Sequence, residues 1–120
     1  MRKTKMIAWL PMLLLAGAVA HAHAMLDHAN PSVGSTVTSA PRSLSLSFTQ
    51  NLEPAFSTVQ VQDAGGARVD QGKAQVDRAN RSVLHIGLKP LRPGIYKVHW
   101  RVLSVDTHTT EGSFSFQVAQ

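Results

Sequence analysis

The sequence has no cysteine. Disulfide staples, thiolate metal sites, iron–sulfur clusters and cysteine catalysis are therefore excluded. Outside the first 22 residues it also lacks any sustained apolar repeat of period 3.6, so no amphipathic helix is expected there. No internal repeat occurs, and the only low-complexity stretch is an Ala/His run around residues 20–24. Lys and Arg exceed Asp and Glu by twelve to seven, but the excess is scattered and forms no basic stripe. Nucleic acid is not an expected partner on that pattern. Aromatics are sparse, with two Trp, one Tyr and four Phe, and few of them are left over once a core is built.

The amino-terminal stretch has the layout of a secretory signal peptide. Arg2, Lys3 and Lys5 precede an uncharged, mostly apolar run over residues 7–20, which ends in small residues. That run is short of the about 20 apolar residues that a membrane span needs. Cleavage after Ala20, Ala22 or Ala24 satisfies the small-x-small rule. The cut after Ala22 gives a signal peptide at 1–22 and a domain at 23–120, which is 98 residues beginning at His23. Nine basic residues then face seven acidic ones, a net charge of +2. A chain of this length makes one domain with a modest core.

Along 23–120 the pattern is one of short strands and turns. Residues 23–31 form a short segment that Pro31 ends, and residues 32–41, rich in Ser, Thr, Gly and Pro, are expected as loop. Residues 44–48 alternate with Leu44, Leu46 and Phe48 inward. Pro54 breaks the pattern at 51–55, because it cannot donate to a ladder. Residues 56–62 alternate again with Val59 and Val61 in phase, and residues 63–66 make a hairpin-like turn. The polar stretch 67–80 is expected as edge strands and loop with solvated charges. Residues 82–88 form a strand, 90–94 a turn, and 112–118 a last strand with Phe114, Phe116 and Val118 on one face. Short strands without intervening helices point to an antiparallel sandwich or small barrel.

The chemistry concentrates in the run from Tyr96 to His108. Tyr96, Val98, Trp100 and Val102 alternate as one buried strand face, and Ser104, Asp106 and His108 continue that phase. If the strand runs through, Asp106 and His108 lie on one face roughly 6.5 Å apart, close enough to reach one metal ion. A mature chain that begins at His23 adds two more donors, since its α-amine and ring Nδ1 close a six-membered chelate. His23, Asp106 and His108 then offer three nitrogens and one oxygen, a set suited to one Cu(II) per chain. Two other readings stand beside this one. Asp106 can simply open a turn by binding backbone N–H groups, with His108 in its exposed loop. Cleavage after Ala20 creates His21-Ala22-His23, whose third-position histidine can wrap Cu(II) with amide nitrogens and needs neither Asp106 nor His108.

The stretch Tyr96-x-Val98-x-Trp100-Arg101-Val102-x-Ser104-x-Asp106-x-His108, with Gly112 four residues on, resembles the C-terminal signature of the CopC family of periplasmic copper-resistance proteins. His23 with Leu26 and Pro31, Pro41, the strand ending at Phe48 and Leu91-x-Pro93-Gly94-x-Tyr96 agree with it. The resemblance implies an all-β, Greek-key barrel or immunoglobulin-like sandwich with the mature N-terminus beside the loop after the penultimate strand. It also implies a periplasmic Cu(II) site built from His23, Asp106 and His108, and an inner-membrane copper transporter of the CopD kind as partner. This sequence departs from the family pattern in two places. Gln50 stands where an acidic residue near the copper is common, which leaves Gln50 a supporting role at most. Met25 is the one thioether left beyond residue 22, too few for a soft Cu(I) cage.

The other histidines are expected away from the metal: His99 and His85 outward on their strands, His28 in packing or at the surface. Trp100 is expected in the core. The expected function is that of a monomeric, non-enzymatic Cu(II) carrier or buffer. The alternatives are a copper-dependent oxidative enzyme of the histidine-brace type and a metal-free extracytoplasmic interaction domain.

Overall fold

A computed structural model of the chain describes residues 23–120. The expected signal peptide and its cut after Ala20 lie outside the described residues, the cut after Ala22 falls at their edge, and the cut after Ala24 falls within them. Eight strands follow in order: β1 (Leu26–Asn30), β2 (Thr36–Val37), β3 (Ser43–Phe48), β4 (Thr58–Gln62), β5 (Asp70–Val76), β6 (Val83–Leu88), β7 (Gly94–Leu103) and β8 (Thr109–Val118). A single 3-10 turn at Pro54–Phe56 is the only helical element among the described residues. The strands form two four-stranded sheets, β1-β3-β6-β5 and β2-β8-β7-β4. All neighbours are antiparallel except β2 and β8. This is the β-sandwich that the strand pattern predicts.

The alternating residues fill the space between the sheets. Leu44, Leu46 and Phe48 of β3, Val59 and Val61 of β4, and Tyr96, Val98, Trp100 and Val102 of β7 are all buried. Each large side chain of this kind contributes about 1.5–3 kcal/mol by leaving water. Trp100 packs edge-on against Phe48, with ring centroids 5.1 Å apart. Its other contact explains a feature of the late motif. A Cβ on Gly112, its cross-strand partner, would lie 2.6 Å from Trp100 Cζ2, so the indole occupies space that only glycine leaves free. Tyr96 stacks on Phe116 and donates its hydroxyl to the Arg92 carbonyl at 2.6 Å, which anchors the turn that leads into β7.

Four expectations need correction. The loop expected at 32–41 contains the short strand β2, which pairs in parallel with the end of β8. β8 begins at Thr109 instead of 112, because β-branched Thr109 and Thr110 extend the ladder opposite Leu103 and Val102. The strand expected to run through Asp106 stops at Leu103, and Ser104 to His108 forms a turn. The charges of 67–80 are not all solvated. Asp70 is buried, with its carboxylate bound by Val61 N–H at 2.8 Å and by Arg68 Nε and a terminal guanidinium nitrogen at 2.8 and 2.7 Å. Val69 N–H also donates to the Val61 carbonyl, so this corner closes one seam between the sheets.

Candidate metal centre

The second seam between the sheets brings the start of the domain against the turn between its last two strands. His23 leads into β1 of one sheet, while Asp106 and His108 lie in the turn between β7 and β8 of the other. The turn is tightly specified by backbone bonds. Ser104 N–H donates to the His108 carbonyl at 3.0 Å, Thr107 N–H to Ser104 at 2.8 Å, and Val105 N–H to Asn51 at 3.0 Å. Thr107 takes φ +73°, a conformation costly for a β-branched residue, and its strain is held by those bonds.

Ser104 sits at the hinge of this arrangement. It is fully buried, in the phase of Tyr96 and Trp100, and its hydroxyl donates to Asp106 Oδ1 and lies 3.2 Å from the His108 carbonyl. His108 Nδ1 is 3.3 Å from the same Asp106 oxygen. The Ser104 hydroxyl holds the Asp106 carboxyl below its ordinary range against partial desolvation, and His108 adds to the effect. With Nδ1–H directed at Asp106, the tautomer of His108 that fits leaves Nε2 as a free lone pair. His23 meets this pair from the other sheet: its ring centroid lies 4.5 Å from that of His108, the planes crossing at 77°.

Asp106 and His108 therefore come together although the strand does not carry them. A turn replaces the period-two stacking and brings both side chains within hydrogen-bonding reach. Their side chains remain 34% and 48% exposed, open to an ion from solvent. Among the described residues no three His, Asp or Glu side chains stand together closely enough to hold a metal ion. The fourth donor of the expected set, the His23 α-amine, exists only when the peptide bond to Ala22 is cut.

The remaining histidines among the described residues have other partners. His28 pairs with Asp27 at 2.8 Å, and His85 with Asp77 at 3.1 Å. His99 faces outward between Ser113 and Glu111, at 3.1 and 3.7 Å. Gln50 lies half-buried between Thr49, which binds Met25, and Asn51, which binds Val105. Two residues near the site escape a search for ligand types: Ser104 and the half-buried Thr110. Their signal in the sequence is a hydroxyl standing in an otherwise apolar strand phase.

Comparisons with known proteins place the fold and the sequence in a family. The family model of the CopC domain matches residues 26–119. Copper resistance protein C of Xanthomonas campestris pv. juglandis is 37% identical over 110 residues, covering 87% of this chain and 86% of its own. Among solved structures, CopC from Methylosinus trichosporium OB3b superposes with a TM-score of 0.76 at 33% identity, over 81% of this chain and 94% of that one. PcoC, described as a methionine-rich copper resistance protein from Escherichia coli, gives 0.72 at 31% identity, over 81% and 99%. By sequence and by fold, the chain belongs to the CopC family, whose relatives named here are copper-handling proteins.

Proposed function

We propose that the chain is an extracytoplasmic carrier or buffer for Cu(II), released into the periplasm by removal of residues 1–22 and binding one ion per molecule. The donors are the α-amine and ring of His23, the imidazole of His108 and the carboxylate of Asp106. The observation that carries the reading is the meeting of His23 with His108 at 4.5 Å, while His108 is in turn 3.3 Å from Asp106. In the structure Asp106 Oδ1 is held by Ser104 and His108 Nδ1; the carboxylate joins the imidazole on one ion by exchanging the His108 contact for the metal.

The donor chemistry fits the cupric state. Imidazole, amine and carboxylate suit Cu(II), whereas Cu(I) prefers thioether and thiolate. PcoC is described as methionine-rich, but beyond residue 22 this chain has Met25 alone. The amine has a reference pKa of about 7.7–8.0, so binding near neutral pH releases a proton and acid loosens the site. An exposed, easily reached ion suits transfer to a membrane copper transporter of the CopD kind, with the domain acting as a monomer.

Mass spectrometry of the exported protein combined with a Cu(II) titration tests the proposal. A product beginning at His23 that binds one Cu(II) tightly is the expected result. A different first residue, or no tight one-to-one binding, overturns it. The copper-loaded protein should also give no ascorbate-driven peroxide production above free copper, as befits a carrier.

A further inference from the structure

The residues immediately after His23 are held by two hydroxyls that belong to no donor set. Thr110 Oγ1 donates to the Ala24 carbonyl at 2.7 Å. Met25 N–H donates to Thr49 Oγ1 at 2.9 Å, and Thr49 N–H returns a bond to the Met25 carbonyl at 2.9 Å. The Ala24 methyl is fully buried in the core. The peptide joining Ala24 to Met25 is thus fixed by its carbonyl, by its N–H and by the packed methyl beside it. A free chain terminus would ordinarily fray; here the structure is pinned to within one residue of His23.

Thr110 is the more telling of the two. It lies two residues past His108 on β8, in the inward phase that continues with Gly112, Phe114 and Phe116. Valine has nearly the same shape and would fill the position without a polar atom to satisfy. A hydroxyl there is explained by the carbonyl it meets. That bond joins the strand that carries His108 directly to the segment that carries His23, across the seam between the sheets.

We propose that Thr110 is a positioning residue for the copper site: its hydroxyl sets the N-terminal segment so that the amine and ring of His23 face His108. The inference rests on the ligand set proposed above. A chelate whose arms are already placed loses less freedom on binding, and that saving appears as affinity. Without the bond the Ala24 methyl still packs and the peptide keeps its Thr49 partner, but the segment loses its tie to the strand that carries His108, and the His23 donors are held less closely against that imidazole.

The test uses the exported protein in three variants, Thr110→Val, Thr110→Ser and His108→Ala. Affinity is read by Cu(II) competition titration, ligand geometry by electron paramagnetic resonance, and folding by apo-protein melting. Thr110→Val should bind Cu(II) about 10-fold more weakly, the low end of the range for groups that orient a ligand, with an altered cupric spectrum and little change in melting. Thr110→Ser should restore both affinity and spectrum. If Thr110→Val matches the parent in affinity and spectrum while His108→Ala has lost binding, Thr110 does not position the site. The same conclusion follows if serine fails to rescue and both variants melt early, since the role is then structural. Should the valine variant not fold, Thr110→Ala, which leaves the space open, is put to the same comparison. If His108→Ala binds copper like the parent, the ligand set itself falls, and this inference with it.

Discussion

The sandwich is joined along two seams, and each contains an aspartate held below the ordinary carboxylate range. At Asp70 burial pushes the pKa up, but the Arg68 guanidinium, the Val61 N–H and the Arg68 charge together outweigh it. At Asp106 the Ser104 hydroxyl is the chief cause, with His108 behind it. The difference lies in what is left over. Asp70 is enclosed, with a side chain 2% exposed and both oxygens engaged. It has nothing to offer an ion, and its partners make it part of the fold. Asp106 is one-third exposed, the side chains of Ser104 and His108 meet it at Oδ1, and the imidazole of His108 is in turn met by that of His23. A pKa lowered in the same direction thus goes with cohesion in one seam and, on the proposed ligand set, with binding in the other, and accessibility separates the two cases.

Copper affinity and folding stability should therefore respond to different substitutions. The largest effect is expected from His108→Ala, which should weaken Cu(II) binding by at least about 100-fold, since removal of mere orienting groups already costs 10–100-fold. One extra residue before His23 should do the same by converting the chelating amine into an amide. The apo protein should melt within a few degrees of the parent in both cases, because His23 and His108 are exposed. Calorimetry beside the titration checks both halves. Parental copper affinity in either variant would dissolve the distinction between the seams.

Asp70→Asn should give the mirror image. The amide oxygen can still accept the Val61 N–H, but the charge that meets Arg68 is gone. Arg68 is half exposed and its freed guanidinium regains water, so the loss should be about 1–3 kcal/mol, less than for a fully buried pair. For a domain of this size that lowers the melting temperature by roughly 4–8 °C per kcal/mol. Copper affinity at 25 °C should not change. A parallel fall in copper binding would mean that the two seams are coupled.

Gly112→Ala sharpens the comparison inside the copper-bearing strand. The added methyl would meet Trp100, so a loss of about 1–2 kcal/mol is expected, in the lower part of the range for overpacking. Trp100 fluorescence should shift while copper affinity holds. The late motif that contains Asp106 and His108 would then be a composite of two ligands and one packing residue.

How much of this was legible beforehand follows from the same physics. The strands with one buried face announce themselves, because alternation in β3, β4 and β7 is a direct imprint of the core. Asp70 was not legible: residues 67–80 carry no apolar phase, and the aspartate is buried only because Arg68 and the edge of β4 happen to close over it. The pairing of Asp106 with His108 was foreseen through the wrong geometry. Period-two counting ran the strand to His108, whereas backbone bonds to Asn51 and within the turn end it at Leu103. His23 is visible only through the processing pattern, since no local rule connects residue 23 with residue 108. The hydroxyls of Ser104 and Thr110 stand at apolar phases of the sequence without being singled out there; the partners of Ser104 depend on the turn, and that of Thr110 lies on a segment that only the tertiary fold brings close.

Acid provides the finest separation of the two seams. A carboxyl whose folded pKa lies below its unfolded value near 3.8 binds fewer protons folded than unfolded across that interval. Stability therefore rises with pH there; the contribution of Asp70 is complete above the unfolded value and is lost as pH falls through the folded one. One proton gives a slope of at most about 1.4 kcal/mol per pH unit. Asp70→Asn should flatten the acid limb of the stability curve below pH 4 by up to that amount. Asp106 is displaced in the same direction, but it is exposed and adds little to folding. What its lowered pKa does is keep the carboxylate charged down to the acid limb, so protonation of the His23 amine, with its much higher reference pKa, should govern the first loss of copper. The parent should then release Cu(II) on acidification well above the pH at which it unfolds, and Asp70→Asn should move the unfolding curve while leaving the release curve in place. Coincident release and unfolding in the parent would show instead that copper leaves because the sandwich opens, and the two carboxylates would no longer have separate tasks.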